Sequence, residues 1–188
     1  MEDNKFKIGV IGLGYVGLPL AVLFSSKYPV IGVDTDSSRV SKVNQFLDET
    51  NELNSEVLQN ALNNNLVVTN KYKDIKHCNI YIVTVPTPID KMKNPDLSYL
   101  LDATKNIGKL ISKGDTIIYE STVYPGCTEE ECVPVLEKTS GLKYNQDFYC
   151  GYSPERINPG DRKNTIDKIT KVTSGSNEYS SKLVDELY

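Results

Sequence analysis

The chain has 188 residues, 39% hydrophobic and 24% charged, a composition that suits one globular core burying about 70% of its unfolded surface and excludes disordered and fibrous classes. Its 21 basic residues are scattered among 25 acidic ones for a formal charge of −4, so it offers no global attraction to nucleic acid or an anionic membrane, and any phosphate must be held locally. Cys78, Cys127, Cys132 and Cys150 lack both the C-x-x-C spacing of a metal or redox site and the density of a disulfide scaffold. With His77 the only histidine, the expectation is a reduced, cytoplasmic protein without a structural metal.

The first stretch, "KIGVIGLGYVGLPLAVLF", superficially resembles a secretory leader, since residues 8 to 24 are uncharged and follow Lys5 and Lys7. It holds four glycines and Pro19, lacks a small-x-small cleavage site, and is shorter than the roughly 20 residues that cross a bilayer. A strand, "KIGVI", followed by a helix over 15–27 accounts for each residue. Between them Gly12, Gly14 and Gly17 spell G-x-G-x-x-G: the first permits a tight turn, the second lets a pyrophosphate approach the backbone, and the third allows close packing of the helix. The amides near Tyr15 and Val16 then point at the anion from the helix start.

A second strand, "VIGVD", ends in Asp34, 22 residues after Gly12, close to the interval expected for the carboxylate that binds the adenosine ribose. The competing role for Asp34 is the cap of a helix starting near Ser37 or Ser38. Asp36 lies beside it, and two carboxylates repel a 2′-phosphate, so NAD is expected in preference to NADP. Arg39 has two readings, a phosphate or adenine contact and a solvated helix face.

Strands and helices then alternate: helices over 38–48 and 54–63, strands at 66–69 and 79–85, a helix over 97–112 and a strand at 115–121. A helix over 128–138 is expected to open on a capping box, Thr128 with Glu131, and to be kinked by Pro134. The remainder reads as a strand in "DFYCGY", a loop, a strand "KVTSGS" and a terminal helix. These are the parts of an α/β doubly wound, mostly parallel sheet of Rossmann type, with 1–188 forming a single dinucleotide-binding domain.

Ligands in such a sheet collect at the carboxyl ends of the strands. "VPTP" at 85–88, "EST" at 120–122 and "SPER" at 153–156 follow the fourth, fifth and sixth strands. Singly, each is explained as turn or cap residues. On one rim, Thr87 and Thr122 are placed to bond the nicotinamide end of the cofactor, with Glu155 and Arg156 facing whatever lies beyond.

"GLGYVGLPLA", "VTVPTPID", "YESTVYPGCTEEECVPVLE" and "GYSPERINPGD" resemble the cofactor-binding half of the UDP-glucose/GDP-mannose dehydrogenase family. The likeness is greatest to the branch that oxidises UDP-N-acetylhexosamines for capsule and O-antigen polysaccharides. The resemblance implies oxidation of C6 of a nucleotide sugar from alcohol to carboxylate in two NAD-dependent steps, through a thioester on a cysteine. It places Gly12, Gly14, Tyr15, Val16, Gly17, Asp34, Arg39, Thr87, Ser121 and Thr122 at the cofactor. It also implies that Glu155 and Thr122 serve catalysis and that Glu155, Arg156 and Ile157 lie near the sugar nucleotide. Pro159 replaces a second glutamate common in UDP-glucose dehydrogenases, which favours the N-acetylhexosamine branch.

The family's nucleophilic cysteine and its lysine and asparagine partners fall in a central helical region and a second nucleotide-binding domain, beyond residue 188. The chain therefore reads as an amino-terminal fragment, inactive alone, of an enzyme that is a homo-oligomer. Two competing readings are a short-chain dehydrogenase, from Tyr72 and Lys76 at Y-x-x-x-K spacing, and a module that senses NAD without turnover. A sensor has no use for Glu155 beside Arg156.

Overall fold

Ile8–Ile11 (β1), Ile80–Val83 (β4) and Thr116–Tyr119 (β5) are buried at every position, the pattern of parallel strands covered by helices on both faces. The computed structural model describes residues 6–154 and 170–188. With β2 (Val30–Val33), β3 (Leu66–Thr69), β6 (Tyr149–Tyr152) and β7 (Ser174–Gly175), these strands form one sheet in the order β3-β2-β1-β4-β5-β6-β7. The first six strands pair in parallel, and only the two-residue β7 runs antiparallel, against β6.

Alternation along the strands divides the core in two. Ile8, Val10, Ile80, Ile82 and Ile118 face a layer from α1 (Gly17–Ser25), α2 (Ser37–Asn44), α3 (Ser55–Asn63) and α6 (Glu178–Leu187). Ile11, Tyr81, Val83, Ile117 and Tyr119 face α4 (Ser98–Gly108) and α5 (Val133–Ser140). This is the doubly wound architecture that the alternation of elements predicts.

Two local expectations are corrected. The helix over 38–48 ends at Asn44, because Phe46 takes a left-handed conformation, φ 64°, and turns the chain so that Asp48 comes back toward Arg39. No capping box opens the helix expected over 128–138. Thr128–Cys132 instead form a π turn without a side-chain cap, and Pro134 lies in the first turn of α5, where its missing N–H costs nothing. The proline starts a helix rather than kinking one.

Asp115, buried just before β5, accepts the Ser112 amide at 2.7 Å. Burial pushes its carboxyl up to about 6, against the downward pull of that hydrogen bond. A folded pKa above the unfolded one contributes stability that is complete below the unfolded value of 3.8 and is lost as pH rises toward 6. That loss is on the order of 3 kcal/mol between about pH 4 and about pH 6. Asp115→Asn keeps an acceptor for Ser112 and removes the titration, so urea midpoints at about pH 4 and about pH 7 are expected to differ less in the variant. A pH-independent gap between variant and wild type would contradict this.

Candidate cofactor site

The strand order reverses at β1, whose neighbours β2 and β4 are reached by connections running to opposite sides, and a crevice opens there at the strands' carboxyl ends. It holds a cleft of about 670 Å³ that runs from Asp34 and Thr35 past the glycine turn to Ser121 and Thr122. Gly12 turns at φ +92°, its amide donating to the Val33 carbonyl at 2.8 Å. Its own carbonyl accepts the Thr84 hydroxyl at 2.7 Å.

Gly17 opens α1 so close to that carbonyl that a Cβ there would stand 1.9 Å from it and 2.3 Å from Thr84 Oγ1. At Gly14 a Cβ would meet nothing within 4 Å, so the space above it belongs to the cleft. No side chain caps α1, which leaves an anion in the cleft as the fitting acceptor for amides at the helix start. These features fit a pyrophosphate.

Asp34 accepts the Leu13 amide on Oδ2 at 2.8 Å and the Asp36 amide on Oδ1 at 2.9 Å. The helix cap is Asp36 instead, which accepts from the amides of Ser38 at 2.8 Å and Arg39 at 3.3 Å. A carboxylate offers about four acceptor positions, so Asp34 retains capacity for the two hydroxyls of a ribose.

Arg39 is not the solvated helix-face residue of the second reading. It is 8% exposed, donates from Nε to the Leu13 carbonyl at 2.8 Å and pairs through Nη2 with Asp48 at 2.7 Å. Burial pushes the Asp48 carboxyl up, but hydrogen bonds from Thr50, Arg39 and Leu53 outweigh it and hold the group below its ordinary value. Arg39 thus braces the glycine turn, and it is not among the residues lining the cleft.

At the other end, the exits of β4 and β5 are stapled together. The Thr87 hydroxyl donates to the Thr122 carbonyl, and the Ser121 hydroxyl donates to the Val85 carbonyl at 2.6 Å. Both donors are therefore engaged, leaving their oxygens as acceptors, while Thr122 is exposed in the cleft. Glu155, Arg156 and Ile157 lie outside the described residues. The structure also brings in groups to which the sequence assigns no role: Thr84, Tyr99, Asp102 and the buried Glu120, which is paired with Lys171 at 2.6 Å and accepts from the Tyr188 hydroxyl.

Tyr72 does line the cleft, but burial, Asp102 and Asp34 push its hydroxyl up to about 12. A tyrosine acting as a proton donor beside a lysine needs the opposite shift, which disfavours the short-chain dehydrogenase reading. The four cysteines are free and buried. Burial pushes Cys78 and Cys132 up to about 12 and raises Cys127 and Cys150, overriding any help from a helix start. Iodoacetamide at neutral pH is expected to label none of them in the native protein and all of them once denatured. A native adduct on Cys127 or Cys132 would refute that inertness.

Among the described residues no group of three potential metal ligands occurs, and no helix is long and apolar enough to cross a membrane. Residues 6–188 match the model of the UDP-glucose/GDP-mannose dehydrogenase family, NAD binding domain. The chain belongs to this family. Its cofactor is accordingly NAD. A UDP-N-acetyl-D-glucosamine 6-dehydrogenase of Pseudomonas aeruginosa is 54% identical over 188 residues, covering 100% of this chain and 44% of the relative. Protein CapL of Staphylococcus aureus is 50% identical over 181 residues, covering 96% and 42%.

Among solved structures, the UDP-D-ManNAc dehydrogenase of Pyrococcus horikoshii superposes with a TM-score of 0.88 at 34% identity, over 97% of this chain and 44% of that one. A ternary complex of GDP-mannose dehydrogenase from Pseudomonas aeruginosa gives 0.88 at 28%, with the same coverage of 97% and 44%. The chain thus spans less than half the length of these relatives.

Proposed function

We propose that this domain is the cofactor-binding part of an NAD-dependent UDP-sugar 6-dehydrogenase that oxidises C6 of a UDP-N-acetylhexosamine from alcohol to carboxylate, for capsule or O-antigen polysaccharide. The observation that supports it most is the one cleft, of about 670 Å³, lined by Asp34, the glycine turn and the stapled exits of β4 and β5. NAD supplies the hydride acceptor when bound. The chain's own residues hold it: Asp34 the ribose, the amides after Gly14 the pyrophosphate, and Thr87, Ser121 and Thr122 the nicotinamide end, with Gly12, Tyr15, Val16 and Gly17 shaping the turn and Arg39 bracing it.

In this reading 1–188 is one domain, the protein is cytoplasmic and homo-oligomeric with a UDP-sugar as partner and no nucleic acid or membrane, and the nucleophile is none of the buried cysteines. Glu155 and Thr122 work on the reacting carbon from the cofactor side, with Arg156 and Ile157 near the sugar nucleotide. A panel of UDP-sugars assayed with NAD on the uninterrupted protein tests the substrate class. In the same protein Glu155→Gln is expected to lose about 10² to 10⁴ in turnover at unchanged NAD affinity. Near-normal turnover with a lowered melting temperature would instead make Glu155 a structural residue. An NAD sensor is the remaining alternative, and turnover of any UDP-sugar excludes it.

A further inference from the structure

The end of the cleft beyond Asp34 is built from three separate elements. Thr35 follows β2, Tyr72 opens the 3₁₀ turn Tyr72–Ile75 after β3, and Tyr99 and Asp102, three apart on one face of α4, close the far side. Val33 and Ile11 supply buried apolar wall. A ribose held by Asp34 with its pyrophosphate on the glycine turn directs its base into this end, so the role of this end rests on the proposed placement of NAD.

We infer that Asp102 reads the 6-amino group of the adenine, making the cleft selective for a 6-aminopurine dinucleotide over its 6-oxo counterpart. An ionised carboxylate is an acceptor only. It is matched by the N–H of an amino group and repelled by the lone pairs of a 6-oxo group. None of the ion pairs among the described residues involves Asp102. Among the described residues its side-chain partner is the Asn106 amide one turn along, which donates to Oδ2 at 3.1 Å and orients the carboxylate while leaving acceptor positions open. Tyr72 lines the same end, and burial first, then the charges of Asp102 and Asp34, push its hydroxyl up to about 12, so it remains a donor suited to a ring nitrogen of the same base.

The test is calorimetric titration with NAD and with nicotinamide hypoxanthine dinucleotide, on the wild type, Asp102→Asn and Asp34→Ala. The wild type is expected to favour NAD by about tenfold or more, and Asp102→Asn, whose amide both donates and accepts, to bring the two within about threefold. Asp34→Ala is expected to weaken both dinucleotides alike and keep the preference. Equal binding by the wild type, or an undiminished preference in Asp102→Asn, overturns the inference. If Asp34→Ala leaves both affinities unchanged, the placement of NAD fails instead and carries this assignment with it. Asp102 is an exposed helix position, so a melting temperature matching the wild type separates recognition from folding.

Discussion

Gly17→Ala is expected to abolish measurable NAD binding and to lower stability, whereas Gly14→Ala is expected to weaken binding with almost no change in stability. The two glycines belong to one motif but meet opposite surroundings. An alanine methyl at Gly17 would be driven to 1.9 Å from the Gly12 carbonyl oxygen, a backbone atom that moves only if the turn moves. The Thr84 hydroxyl at 2.3 Å can rotate away, but it then gives up its bonds to the carbonyls of Gly12 and Ile11. Overpacking of this kind costs about 1–3 kcal/mol, or about 2–4 °C of melting temperature per kcal/mol in a chain of this size.

At Gly14 the same methyl meets no protein atom within 4 Å, so it occupies only the space where a pyrophosphate would lie. Its cost falls on binding, on the order of one or two charge-assisted hydrogen bonds, about 1.5–3 kcal/mol or tenfold to a hundredfold. Melting curves and calorimetry on the two variants check the pair. A Gly14→Ala protein that binds NAD like the wild type would remove the phosphate from this turn.

Asp34→Ala is expected to cost about 1.5–3 kcal/mol of NAD affinity through the ribose alone. The structure adds a second loss, since the variant strips the Leu13 and Asp36 amides of their acceptors and so loosens the glycine turn from the end of β2. The measured loss is therefore expected at or above a hundredfold. In the wild type, Asp34 with the exposed Asp36 beside it disfavours a 2′-phosphate, so NADP is expected to bind more weakly than NAD. Calorimetry finding NADP equal or tighter would overturn the ribose assignment.

What the sequence determined by itself was whatever depends on short-range pattern. Uninterrupted apolar runs such as "KIGVI" and "NIYIV" mark strands buried on both faces, because a parallel sheet leaves neither side to water. The glycine spacing and the carboxylate 22 residues on mark a dinucleotide turn, because turn geometry and β2 length are local quantities. The tertiary structure decided which of several equivalent polar groups took each role. Asp34 and Asp36 are chemically identical and two apart, and only the position of Leu13 gave one to the glycine turn and the other to the helix cap.

Arg39 had no apolar pattern to announce burial. It is enclosed because Phe46 turns the chain and returns Asp48 to it, a contact that no window of the sequence contains. The same reason hid the roles of Thr84, Glu120 and Asp102. Thr84 matters because Gly12 and Gly17 approach it from more than sixty residues away, Glu120 because Lys171 reaches it across 51 residues, and Asp102 because α4 and the end of β2 line one cleft. Periodicity reports what each segment does to its own neighbours along the chain, whereas a cleft at a sheet's reversal is made from segments that become neighbours only when the core closes.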